Sequence, residues 1–184
     1  VEKIDIYSMK AMIFAAGLGT RLRPLTNEIP KALVPIEGVP LLELAIRRIA
    51  AAGIREMVIN VHHFAEKIID FIQQKEQFGL QIHISDERDQ ILETGGGLLK
   101  AAPLLKSGPF LVMNADILTN LDLGKMIAEH QQNAAIATLA IRQRSTSRYL
   151  LFDENNQLSG WENIKTGEQR ISRATKVQQP FAFS

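Results

Sequence analysis

Hydrophobic and polar positions along this chain alternate between a strand-like and a helical period. Ala11, Met12, Ile13, Phe14, Ala15 and Ala16 form a continuous apolar run that breaks at Gly17, the pattern of a strand buried on both faces and ended by a glycine turn. Such a strand belongs at the centre of a parallel sheet. Leu42, Ala45, Ile46, Ile49 and Ala50 then recur at helical spacing, with Pro40 placed as the first helical residue and Gly53 as the stop. Residues 56–61 (Glu-Met-Val-Ile-Asn-Val) read as the next strand, and Phe64, Ile68 and Ile72 mark a second helix that ends before Gly79. The same reading predicts strands at 81–85 and 110–113, helices at 98–105 and 123–131, and an extended run at 134–141. Strands alternating with helices predict an α/β fold: a doubly wound, mostly parallel, Rossmann-like sheet covered on both faces.

Beyond Tyr149 the pattern changes to shorter runs at 149–152, 158–161 and 170–172, separated by Asn155-Asn156 and Thr166-Gly167. This predicts a β-hairpin-rich, antiparallel C-terminal part. Residues 1–8 precede Met9-Lys10 without joining the first strand and read as an N-terminal extension, leaving 9–184 as the domain. Residues 177–184 are a β-prone run with Pro180, Phe181 and Phe183 that stops without a turn residue or polar tail. That predicts a further C-terminal segment beyond Ser184.

Composition narrows the function. The chain has 184 residues, 21 Lys and Arg against 20 Asp and Glu, and no cysteine. The length suits one domain, able to bury ~70% of its unfolded surface. Without cysteine, this chain cannot carry out thiol catalysis, ligate zinc through thiolates or hold an iron–sulfur cluster that way. A net charge of +1 supplies no strong field, so nucleic acid is not expected as a partner, and Arg142, Arg144 and Arg148 read as a solvated face. No apolar run approaches the roughly 20 residues of a membrane span, so no membrane partner is expected and the predicted location is the cytoplasm. His62 and His63 are adjacent after a strand and point apart, which argues against shared metal ligation. Trp161 reads as hairpin packing.

Ligands of open α/β sheets sit outside the carboxyl ends of the strands, so the loops there carry the chemistry. The first runs Ala15-Ala16-Gly17-Leu18-Gly19-Thr20-Arg21-Leu22-Arg23-Pro24-Leu25-Thr26 and continues to Pro30-Lys31-Ala32-Leu33-Val34-Pro35-Ile36. Gly17 and Gly19 let backbone N–H groups approach an anion, and Thr20, Arg21, Arg23 and Lys31 add a hydroxyl donor and positive charge. This outlines a triphosphate cradle. No Gly-Lys-Ser/Thr follows the glycines, which excludes a Walker A loop, and Leu22 stands where a dinucleotide fingerprint needs its third glycine.

These two stretches resemble the signature of the sugar-1-phosphate nucleotidyltransferases. Leu92-Glu93-Thr94-Gly95-Gly96-Gly97 is similar to that family's glycine turn beneath the nucleobase, and Met113-Asn114-Ala115-Asp116 to its strand-end metal aspartate. The nearest look is to the mannose-1-phosphate guanylyltransferase and N-acetylmuramate-1-phosphate uridylyltransferase branch, and the resemblance covers residues 9–184.

The resemblance implies a nucleotide-diphospho-sugar transferase-like fold. It also implies an enzyme that transfers NMP from an NTP to a sugar-1-phosphate, giving an NDP-sugar for cell-envelope polysaccharide precursors and releasing pyrophosphate. Arg21, Lys31 and Asp116 would be catalytic. Arg21 would clamp the outer phosphates, Lys31 would neutralise charge near the α-phosphate, and Asp116 would hold Mg²⁺. Ala15, Ala16, Gly17, Gly19, Thr20 and Arg21 would bind the nucleotide, with Gly17, Gly95, Gly96 and Glu87 at the base. Asn114 and Glu162 would contact sugar hydroxyls. Relatives supply a second metal aspartate from a segment beyond residue 184.

Trp161-Glu162-Asn163-Ile164 departs from the Glu-Glu-Lys-Pro of some relatives, so their phosphate-binding lysine is unmatched and Lys165 is no assured replacement. Two other functions stay open. One is a catalytically silent nucleotide-binding module, and the other a choline-phosphate cytidylyltransferase-like enzyme, for whose cationic headgroup no aromatic cluster is visible. Asp116 as a cap of the following segment, and Thr94 as the cap of a helix entered at the glycines, are the plain structural alternatives.

Overall fold

The computed structural model describes residues 8–106, 108–133, 135–175 and 178–183. The proposed extension lies outside them except for Ser8, as do Ala134, Val177 and Ser184 of the two extended runs. Two compact units divide the chain, one up to Gln131 and the other from Gln132.

The first unit is built on β1 (Lys10–Phe14), the central apolar run. A short loop ladder of β2 (Pro35–Ile36) and β3 (Val39–Pro40) leads into α1 (Leu41–Ala51). Pro40 pairs with Pro35 in that ladder, so it precedes the helix instead of opening it. Next come β4 (Glu56–Val61), α2 (Ala65–Gln74), β5 (Gln81–Asp86), α3 (Glu93–Leu105), β6 (Phe110–Asn114) and α4 (Leu123–Gln132). The strands form one parallel sheet in the order β5-β4-β1-β6, in register from Lys10 beside Glu56 and Phe110 to Phe14 beside Asn60 and Asn114. Four carboxyl ends therefore share one edge.

Strand alternation divides the core. Ala11 and Ile13 of β1 and Ala15 just after it, with Met57, Ile59 and Val61 of β4, face the large cluster that holds Leu42, Ile46 and Ile49 of α1 and Ile68 of α2. Met12 and Val58 face the other way, against Ala101 and Leu105 of α3. Helices thus cover both faces, as the unbroken apolar strand requires.

Helix α3 starts five residues ahead of the expected Leu98, at Glu93, and takes Gly95, Gly96 and Gly97 into its first turns. Glycine disfavours helix by about 1 kcal/mol relative to alanine, which is why the sequence pattern placed the start after them. Close packing explains the difference: a Cβ at Gly97 would lie 2.7 Å from Glu87 Oε1 and 3.3 Å from Phe14. Thr94 lies inside the helix, and Leu92, not Thr94, stands at the cap position.

The second unit adds β7 (Ile141–Arg142), β8 (Arg148–Phe152), β9 (Leu158–Asn163), β10 (Glu168–Ile171) and β11 (Gln179–Phe183), an antiparallel sheet in the order β10-β9-β8-β11-β7. Among the described residues of the expected 134–141 run, only Ile141 is a strand residue, because β11 offers ladder partners to Ile141 and Arg142 alone. The turn between β8 and β9 is organised by Asp153, whose Oδ1 accepts from the backbone N–H groups of Asn155 and Gln157, both at 2.9 Å. Those bonds hold the Asp153 carboxyl below its usual range, with the Arg173 charge adding to them against burial.

Candidate active site

The loop after β1 is shaped by one glycine and left open by another. Gly19 sits at φ +66°, and a Cβ there would come within 2.9 Å of Thr26 Cγ2 and 3.0 Å of Lys31 Cβ. Only glycine meets both conditions. Thr26, buried, donates its hydroxyl to Gly19 O at 2.8 Å and closes the loop on itself, with Lys31 packed against the turn. Gly17 has no atom within 4 Å of where a Cβ would stand, so its backbone faces free space.

A cleft of about 280 Å³ opens at the carboxyl edge of the sheet. Ala15, Ala16, Gly17 and Arg21 form its wall from the first loop, with Lys31 beyond them; Asn114 and Asp116 enter from the end of β6, and Glu87 from the residue after β5. These expected residues, up to 101 positions apart, converge because parallel strands return every carboxyl end to the same edge.

Gly19, Thr20, Gly95 and Gly96 do not line the cleft, although Glu93 and Thr94 do. Gly19 is occupied in shaping the turn, Gly96 packs with its Cβ position 3.0 Å from Leu92, and Gly95 is exposed with open space at its Cβ position. Glu162 lies on β9 in the second unit, where its Oε2 accepts from Gln169 Nε2 at 3.1 Å.

Opposite charges meet within the cleft. Lys31 Nζ donates to Asp116 Oδ2 in an ion pair, both side chains partly exposed. Asp116 therefore faces the cleft, and no backbone N–H capped by it is found among the described residues. Arg21 is exposed and makes no hydrogen bond or ion pair among the described residues, which leaves its guanidinium available to an anion.

Glu87 is buried to 1% exposure, with Oε1 accepting from Asn60 Nδ2 at 2.8 Å. Burial this deep follows from its anchoring at both backbone ends. Its N–H donates to Val61 O at 2.8 Å, and its carbonyl lies 2.7 Å from His62 Nδ1, which must carry the proton because a carbonyl only accepts. His62 is thus a loop tie, while His63 stacks on Phe64 with ring centroids 3.9 Å apart.

The loop after β5 is tied down again by Arg88. Its guanidinium bonds Asp86 and, on α2, Glu66. Side-chain and backbone hydrogen bonds from Arg88 hold the Asp86 carboxyl below its usual range despite burial, with the charges of Arg88 and Lys100 assisting, and the same contacts raise Arg88.

Sequence reasoning missed Asn60, Phe14, Ile91, Glu93 and Thr94 among the lining residues. Asn60 carried a signal: it is the one polar side chain between Val58 and Val61 in an otherwise apolar strand end.

No cluster of three or more His, Asp or Glu side chains that could hold a metal occurs among the described residues. Asp116 alone fits Mg²⁺ of the kind that arrives on a triphosphate, since that ion keeps waters and phosphate oxygens beside one or two carboxylates.

Residues 10–154 match the family described as nucleotidyl transferase. The N-acetylmuramate alpha-1-phosphate uridylyltransferase of Caulobacter vibrioides is 50% identical over 108 residues, covering 58% of this chain and 45% of that protein. The mannose-1-phosphate guanylyltransferase of Mycobacterium tuberculosis is 34% identical over 135 residues, covering 73% of this chain and 37% of that protein. The chain thus spans less than half the length of either. A solved UDP-glucose pyrophosphorylase complexed with UDP-glucose superposes with a TM-score of 0.70 at 20% identity, over 84% of this chain and 68% of that one; this is a likeness of fold. The chain belongs to the nucleotidyl transferase family.

Proposed function

We propose that this protein transfers the nucleoside monophosphate of an NTP to a sugar-1-phosphate. A sugar-phosphate oxygen forms a bond to the α-phosphorus, the bond from that phosphorus to the β-bridging oxygen breaks, and pyrophosphate leaves with the electron pair. The observation that carries this reading is the convergence of Arg21, Lys31 and Asp116 on one cleft beside the open backbone of Gly17.

The residue types suit a reaction that needs charge management more than proton transfer. A phosphate monoester has a second pKa near ~6, so its attacking oxygen is already ionised at neutral pH and no histidine base is required. The obstacle is bringing two polyanions together, and fixed positive charge with correct positioning removes it. Arg21 binds the outer phosphates. Lys31 exchanges its Asp116 partner for oxygens at the α-phosphate, which frees the carboxylate. Asp116, once free, would hold Mg²⁺, which would supply further neutralisation of the phosphates. Ala15, Ala16 and Gly17 lie along the nucleotide, and Asn114 meets the sugar.

The 50% identical relative makes UTP with N-acetylmuramate-1-phosphate the first substrate pair to test, and GTP with mannose-1-phosphate the second. We place the enzyme in the cytoplasm, supplying cell-envelope polysaccharide precursors. No helix among the described residues is long and apolar enough to cross a membrane.

Pyrophosphate release is the test, run on the full protein with Mg²⁺, each common NTP and a panel of sugar-1-phosphates. Release with one pair, lost in Lys31→Ala and in Asp116→Ala, is expected. Nucleotide binding without release for any pair would overturn the catalytic reading.

A further inference from the structure

The Asn60–Glu87 hydrogen bond lies where four parts of the site meet. Asn60, 2% exposed near the end of β4, accepts the Ala15 N–H on Oδ1 at 2.7 Å and donates from Nδ2 to Glu87 Oε1 at 2.8 Å. Gly97 in α3 packs onto the same two side chains, with its Cβ position 2.7 Å from Oε1 and 3.1 Å from Nδ2. The end of β1, β4, the residue after β5 and the first turns of α3 are therefore spaced by one hydrogen-bonded pair.

Its polarity is dictated by the backbone. The Ala15 N–H can only donate, so Asn60 must turn Oδ1 to it and Nδ2 to Glu87. Glu87 then uses Oε1 to accept, and Oε2 is left over: buried, in a residue that lines the cleft, and without any hydrogen-bond partner. A carboxylate oxygen shielded from water and lacking a donor is costly, and the cost falls when a donor is supplied.

We propose that Asn60 is a specificity-determining positioning residue: by holding Oε1, it fixes residue 87 to offer the nucleotide an acceptor and not a donor. The inference rests on the nucleotidyltransferase reading of the same cleft. The ligand chemistry that satisfies such an acceptor is a ring imino N–H, present at N3 of uracil and N1 of guanine. Cytosine and adenine carry a bare acceptor nitrogen at the equivalent place, which the carboxylate repels.

Swapping the polarity tests the idea. Affinities of the full protein for UTP, CTP, GTP and ATP with Mg²⁺ are measured by calorimetry, with Tm recorded for each variant. Wild type is expected to favour UTP over CTP and GTP over ATP. In Glu87→Gln, Asn60 still binds the side-chain oxygen, so the free atom becomes an N–H donor, and both preferences should fall by at least about tenfold.

Asn60→Asp alone sets two carboxylates together and should weaken all binding. Combined with Glu87→Gln, the new carboxylate accepts from both Ala15 and the new amide, whose oxygen becomes the free acceptor, and the wild-type preference should return to within a few-fold. A purely structural pair would change Tm and all four affinities together while leaving their ratios fixed. Unchanged ratios in Glu87→Gln, or no restoration in the double variant, would overturn the proposal while nucleotide binding persists. Failure of wild type to bind any of the four would instead remove the nucleotidyltransferase reading, and this inference with it.

Discussion

Lys31 and Asp116, 85 residues apart, form an ion pair in the cleft, so a cation and a carboxylate that the proposed reaction would use neutralise each other in the free chain. With the side chains 23% and 35% exposed, such a pair contributes no more than about 1 kcal/mol. Ligand phosphates can therefore displace it.

Asp116→Asn follows directly from that pairing. The substitution releases Lys31 and removes a negative charge facing the triphosphate. In EDTA, UTP or GTP should bind the variant about fivefold tighter than wild type, whereas pyrophosphate release with Mg²⁺ should drop by about 10²-fold or more. Calorimetry in EDTA beside a pyrophosphate assay checks both halves; weaker metal-free binding would show that the pair does not restrain Lys31.

The two glycines of the first loop should respond differently to alanine. Gly19→Ala introduces a Cβ at φ +66° against Thr26 and Lys31, a backbone strain of about 1–3 kcal/mol. It should lower Tm and, by displacing Lys31, lower turnover. At Gly17 the added methyl meets no protein atom, so Tm should be unchanged while nucleotide affinity falls, because the methyl takes up ligand space. Thermal melts and titrations of the two variants separate a glycine that shapes the loop from one that faces ligand.

Much of this was legible in the sequence, for identifiable reasons. The apolar run before Gly17 and the 3.6-residue spacing from Leu42 report burial directly, so β1, α1, β4 and the parallel alternation follow from pattern alone. Arg21 and Lys31 were legible as positive charge in the glycine-bearing stretch after β1, and Asp116 through the resemblance of Met113-Asn114-Ala115-Asp116 to a family motif. The start of α3 was not legible, since glycine propensity points one way and Gly97 packing against Glu87 the other. Asn60 was hidden for a related reason: its role depends on Ala15 and Glu87, 45 and 27 residues away, and no local pattern encodes that meeting.

Glu43 gives the fold a pH dependence separate from the site. On α1 its carboxyl is 7% exposed and pairs with Arg47 and Lys75. Burial pushes the group up, but the Arg47 hydrogen bond and the charges of Lys75 and Arg47 outweigh it and hold the folded value below the ordinary 4.5. A depressed carboxylate stabilises the fold above the unfolded value and loses that contribution as pH falls through the folded one. Glu43→Gln should therefore be less stable than wild type at pH 7, with the gap closing below about pH 4.5. Urea midpoints from pH 7 to pH 3 measure it, and a constant gap would show that Glu43 acts through packing alone.

Gly97→Ala tests whether the first turns of α3 are bound to the pair beneath them. On an ordinary helix this change stabilises by about 1 kcal/mol. Here the methyl would meet Glu87 Oε1 at 2.7 Å and Asn60 Nδ2 at 3.1 Å, in a pair where the Ala15 N–H holds Asn60 and Asn60 in turn holds Glu87. Overpacking of this kind costs about 1–3 kcal/mol, so the net change should be a loss of stability. Because the displaced pair also holds Ala15, the KM for the nucleotide should rise more than kcat falls. Gly95→Ala, with open space at its Cβ, serves as the control in the same helix and should be neutral or stabilising. A stabilised Gly97→Ala would mean that α3 can slide off the Asn60–Glu87 pair, and that the close approach is not what requires glycine there.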